Sequence, residues 1–119
     1  MPTIMKIIIS RSVFEGVDVD FEKFIKAKYG KAVQKVLVRR LRDSIAASNL
    51  SVLLLPGFPG DWHWLEGDRK HQISANLNGG RKMVFEVDGG LQKFKDSSGG
   101  INCKSITTLI LVEVVNYHK

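Results

Sequence analysis

The sequence predicts an α+β domain, with two N-terminal helices packed on one face of a small, antiparallel-rich β-sheet. Three observations predict it. Apolar residues recur at helical spacing between 21 and 45, they alternate with period two between 73 and 87, and Pro56-Gly57-Phe58-Pro59-Gly60 breaks the chain between the two regimes. At 119 residues and 44% hydrophobic, residues 1–119 are expected to form a single domain around one core.

The first element is a strand from Met5 to Ser10, an apolar stretch too short and too poor in flanking basic residues to read as a leader. Asp18 or Asp20 can cap a helix carrying Phe21, Phe24 and Ile25 on one side, with Gly30 as its terminator. A second helix is predicted over Lys31 to Ser48, where Val33, Leu37, Leu41 and Ile45 recur every four residues, and Asn49 stands where a C-terminal cap would. Lys31, Lys35, Arg39 and Arg42 form a separate line on that helix: a solvated face, or a ridge for phosphates or a partner. Ser51 to Leu55 reads as a helix extension or a packed linker.

Beyond the break, Ile73, Ala75 and Leu77 alternate with Ser74 and Asn76, and Asn78-Gly79-Gly80 supplies a hairpin turn. The returning strand, Arg81 to Val87, divides Met83, Phe85 and Val87 from Lys82, Val84 and Glu86. Leu91 to Lys104 is predicted as a flexible loop or wide hairpin. The β-branched run Ile106 to Val115 is predicted as a central strand covered on both faces.

The net charge of +6 favours a polyanionic partner, with nucleic acid first and an acidic protein or lipid surface next. One cysteine, Cys103, excludes an intramolecular disulfide and fits a reducing, cytoplasmic setting; no run reaches the length of a membrane span. The chain carries no phosphate loop, dinucleotide fingerprint or hydrolase elbow. A zinc set of His63, His71, His118 and Cys103 matches no compact ligand spacing, so no metal or cofactor is expected, and His71 reads as structural or solvent-exposed.

Two stretches carry candidate chemistry, Trp62-His63-Trp64 and the terminal Asn116-Tyr117-His118. RNA can be cut without a metal when its own 2′-hydroxyl attacks the adjacent phosphate, provided that a base and an acid move protons and a donor stabilises the added negative charge. His63 and His118 suit the first task; Tyr117, Lys70 and Lys82 suit the second. Trp62 or Trp64 can stack on a base or pack into the core. On this topology Arg69, Lys70, Arg81 and Lys82 can form one basic patch.

Val38-Arg39-Arg40-Leu41, then Trp62-His63-Trp64-Leu65-Glu66-Gly67-Asp68-Arg69-Lys70, then Asn78-Gly79 before Lys82-Met83-Val84-Phe85, and finally Val112-Glu113-Val114-Val115-Asn116-Tyr117-His118, resemble the HigB-like branch of the RelE/ParE toxin superfamily. The resemblance implies a RelE-like fold and the toxin of a bacterial toxin-antitoxin pair, an endoribonuclease that cuts messenger RNA on the ribosome without a metal. It implies a helix-turn-helix antitoxin as partner, in a heterotetramer, and no membrane association. It assigns His63, Tyr117, His118 and Lys82 to catalysis, and Arg69, Lys70, Arg81 and Asn116 to the RNA. Two departures stand out. Asn116 replaces the family's acid, leaving a positioning residue, and Arg81-Lys82 replaces an aromatic-Arg pair, which removes the two-pronged phosphate contact. Two other readings fit the same residues: a ParE-like inhibitor of gyrase, and an attenuated relative that binds RNA without cutting it.

Overall fold

The computed structural model describes residues 4–10, 21–69 and 71–116. Its elements in order are β1 (Lys6–Ile9), α1 (Phe21–Tyr29), α2 (Lys31–Ile45), α3 (Leu50–Leu53), β2 (His63–Trp64), β3 (Ile73–Asn76), β4 (Arg81–Val87) and β5 (Thr108–Asn116). The strands form one sheet in the order β1-β5-β4-β3-β2. Strands β2 to β5 pair antiparallel in succession, and β1 joins β5 in parallel, with Lys6 opposite Thr108 and Ile9 opposite Leu111.

This corrects the expected architecture of two N-terminal helices on an antiparallel-rich, RelE-like sheet. The strand expected before the helices is present as β1, but the helices number three among the described residues and the sheet is mixed. The physical reason lies in the parallel β1–β5 pair, because two parallel strands cannot be joined by a tight turn. The chain between them supplies the helical layer and the other three strands. Strand β5 lies inside the sheet, between β1 and β4, but it is not covered on both faces as predicted: Leu109 and Leu111 are buried, while Ile110 and Glu113 on the other side are only half-buried.

Helix α1 ends at Gly30, whose φ of +94° suits glycine and whose N–H donates to Lys26 O. The capping role given to Asp18 or Asp20 lies outside the described residues. Helix α2 stops at Ile45, three residues short of the predicted end. Ser44 is buried and its hydroxyl donates to Leu41 O at 2.7 Å, while Ala46 and Ala47 close tight turns onto Asp43 and Ser44. Asn49 therefore caps the start of α3 and not the end of α2: its backbone is extended and its side chain accepts from Ser51 N.

The core lies between the helices and one face of the sheet. Ile25, Val33 and Leu37 from the helices belong to the same buried cluster as Trp62, Ile73, Ala75, Met83, Phe85, Leu109 and Leu111. Of the flexible loop and the wide hairpin expected after β4, residues 95–101 form a hairpin. Asp96 Oδ1 accepts from Ser98 N, Ser98 Oγ and Gly100 N, closing a small hairpin that the Lys95–Ile101 bridge continues. These three bonds hold the Asp96 carboxyl below its usual range, the Ser98 hydroxyl first among them.

Candidate functional site

The strand alternation that buries Met83 and Phe85 against the helices turns Lys82, Val84 and Glu86 to the opposite face. His63 belongs to that face too. It pairs with Ser74, Ser74 with Val84, and Val84 with Glu113, so these four residues form one row across β2 to β5. The neighbouring row toward the hairpin holds Asn76, Lys82 and Val115. The row on the other side holds Gln72, Glu86 and Ile110, and Gln72 Nε2 donates to Glu86 Oε2 at 2.8 Å.

A β-bulge decides where Glu113 points. Val84 pairs with Glu113 and Phe85 with Leu111, so β5 carries one extra residue, Val112, between those two pairs. Strict alternation from the buried Leu109 and Leu111 would turn Glu113 into the core, where placing a carboxylate costs several kcal/mol, or more. The extra residue moves it to the His63 face and returns Val114 to the core side.

His63 is held from both sides. Nδ1 lies 2.8 Å from Asp61 O and Nε2 lies 3.3 Å from Ser74 Oγ. A carbonyl oxygen only accepts, so Nδ1 carries the proton and donates to Asp61 O. In the neutral ring Nε2 is then the basic atom, and the Ser74 hydroxyl donates to it. Ser74 is completely buried, whereas the His63 side chain is 42% exposed, which leaves the imidazole open to an incoming group. Asp61 presents its carbonyl from a backbone with φ +51°, and its carboxylate, 3.9 Å from Nδ1, is loosely placed for a charged ring.

The two indoles lie on the core side. Trp62 is 4% exposed, stacks on Phe85 with ring centroids 4.9 Å apart, and donates its Nε1–H to Pro59 O at 2.9 Å. Trp64 is half-buried against the same cluster. Of the predicted site residues, Lys82 shares the His63 face, and with two strand spacings and one pleat repeat between them the two Cα atoms stand ~12 Å apart. Arg81 stands on the other face, with its guanidinium 5.8 Å from the centre of the Tyr29 ring. Asn116 ends β5 opposite Arg81, where Tyr117 and His118 continue the chain. Arg69 closes the short 3-10 turn Gly67–Arg69. Lys70, Tyr117 and His118 lie outside the described residues.

Beside the His63 row opens a cleft of about 860 Å³, walled by Glu86, Ile110 and Glu113 from the sheet, Asp68 and His71 from the turn, and Leu91 from the loop. His63, in one row with Glu113, therefore sits between a row containing Lys82 and a row containing Glu86, and Lys95 joins the carboxylates in the cleft wall. Sequence reasoning missed Ser74 and Glu113. Ser74 was legible only as a polar position in an alternating strand, and Glu113 was hidden by the bulge. His71 is exposed, as one of its two expected readings has it, with a φ of +82°.

Among the described residues no three His, Cys, Asp or Glu side chains converge to hold a metal, and no helix is long and apolar enough to cross a membrane. Burial pushes the Cys103 thiol up from its ordinary pKa. Comparison of the chain with protein-family models, with curated proteins and with solved structures returned no match.

Proposed function

We propose that this chain is a metal-independent endoribonuclease, the toxin of a HigB-like toxin-antitoxin pair, acting on ribosome-bound messenger RNA in the cytoplasm. The observation that carries the reading is the clamped His63: a half-exposed imidazole with one defined tautomer, on the same sheet face as Lys82. Its motif resemblance supplies the reaction class. In that reaction Nε2 removes the proton from the RNA 2′-hydroxyl, with Ser74 giving up its hydrogen bond as the substrate arrives. Lys82 meets the charge that develops on the phosphate. Tyr117 and His118 serve the leaving 5′-oxygen, and Asn116 with Arg69 and Lys70 positions the strand. A helix-turn-helix antitoxin neutralises the toxin in a heterotetramer.

The carboxylates beside His63 direct the path of the RNA. Glu113 and Glu86 repel a phosphate backbone, so the strand enters over Lys82 and Asn76. Induced expression of the chain should arrest growth and yield cut transcripts, mapped by sequencing their ends, and His63→Ala should abolish both. Full toxicity of His63→Ala sinks the mechanism. Growth arrest with intact transcripts and an SOS response points instead to a gyrase inhibitor, and RNA binding without cutting to an attenuated relative.

A further inference from the structure

The charge of this protein is not spread over its surface. Residues 21–45 contain eight Lys and Arg against two acids, a net +6 equal to that of the whole chain; the remainder carries ten of each sign. All of the excess therefore sits in the α1–α2 hairpin, in the layer on the far side of the sheet from His63. Lys23, Lys26, Lys31, Lys35, Arg39 and Arg42 are exposed there. Arg81 reaches the same layer from β4, over Tyr29.

We propose that the outer face of the α1–α2 hairpin is a platform for the phosphate backbone of double-helical RNA, separate from the His63 face. The cations run in a line: Lys31 to Arg42 spans ~16 Å of helix at 1.5 Å per residue. Between the helices lies a groove of about 360 Å³, lined by Glu22, Gln34, Lys35, Val38, Arg39 and Arg42, three cations to one acid. Gln34 Nε2 donates to Glu22 O at 3.3 Å across it, tying the two helices together.

A lipid surface fits this face poorly. A helix lying in a membrane interface needs a free apolar side, and here Ile25, Val33 and Leu37 are buried in the core. Among the exposed large hydrophobic residues only Ile45 belongs to the hairpin. An acidic protein partner would need large aromatic or aliphatic anchors on the same face, and the only apolar side chain lining the groove is the half-buried Val38. A line of cations without anchors suits a regular array of phosphates read by charge and shape, which is how double-helical RNA is mostly recognised. The choice of RNA over DNA rests on the function proposed above; the location of the platform does not.

The test is fluorescence anisotropy of the full chain with a 20-base-pair RNA duplex over a range of salt. Lys35→Gln/Arg39→Gln/Arg42→Gln and the corresponding triple Glu variant, each checked for folding by circular dichroism, should weaken binding at low salt at least tenfold. Each cation withdrawn from a phosphate should flatten the slope of log K against log salt by about one, so the slope of the triple variants should fall by up to about three. Equal affinity and slope in wild type and variants overturns the proposal. So does tighter binding to a DNA duplex, or binding confined to phosphatidylserine vesicles. Because the readout is binding, failure of the cleavage mechanism leaves this result standing, and the reverse.

Discussion

Replacing Trp62 separates a core indole from a base-stacking one. Its side chain is 4% exposed, it stacks on Phe85, and its N–H donates to Pro59 O. Trp62→Phe keeps a ring against Phe85 but removes the hydrogen bond to the carbonyl of Pro59, an exposed residue that water can reach, at a net cost of about 0.5–1.5 kcal/mol. Trp62→Ala also removes the ring and opens a cavity, at a cost of about 3–5 kcal/mol. Domains of this size have ~5–15 kcal/mol in total, so the alanine variant should be at the margin of folding. Urea denaturation followed by circular dichroism measures both, with Trp64 fluorescence as a second probe of the same transition. The phenylalanine variant should lower Tm by roughly 3–6 °C per kcal/mol of destabilisation. The reasoning is refuted if Trp62→Ala denatures at the wild-type urea concentration, above all if it also loses RNA binding.

Two more outcomes follow from backbone and charge. Gly60 has φ +110°, and a Cβ there would stand 2.7 Å from Arg40 Cδ and 2.8 Å from Trp62 Nε1, whereas Gly57, at φ +89°, faces open space. Gly57→Ala should cost about 1 kcal/mol of backbone strain; Gly60→Ala should cost clearly more, because Arg40 also donates to Asn76 O and cannot swing away without breaking that bond. Equal urea midpoints for the two variants would sink that account. The second outcome concerns pH. The Asp96 pKa is lower in the folded protein than in the unfolded chain, so its support of the 96–100 hairpin is present above the ordinary carboxylate pKa and is lost as pH falls through the folded value. Amide exchange at Ser98 and Gly100, corrected for its intrinsic pH dependence, should speed up below about pH 4 in wild type, and Asp96→Ala should show that opening already at neutral pH.

What was legible from residues alone was whatever a local period encodes. The 3.6-residue recurrence of Val33, Leu37 and Leu41 marks α2, and the two-residue alternation from Ile73 to Val87 marks β3 and β4 with the side of each residue. The separation of Lys82 from Met83 and Phe85 follows from that alternation, and so does the turn at Asn78-Gly79-Gly80, closed by Leu77 N–H donating to Arg81 O. For the same reason Arg81 and Lys82 could not share a face, although their adjacency invited grouping them in one basic patch.

Tertiary structure alone decided the rest, because it depends on which strands meet and at what register. Pairing β1 in parallel with β5 turned an expected antiparallel-rich sheet into a mixed one, and nothing within the sequence of β1 specifies its partner. The extra residue at Val112 reversed the facing of Glu113. The hold on His63 joins a hydroxyl eleven residues downstream to a carbonyl two residues upstream, and only folding brings the two to one ring. The sequence by itself determined the helical hairpin, its +6 charge and the faces of β3 and β4, since each is written in neighbouring residues. The sheet order, the bulge and the tautomer of His63 arise from contacts between distant segments, and those exist only once the chain has closed on itself.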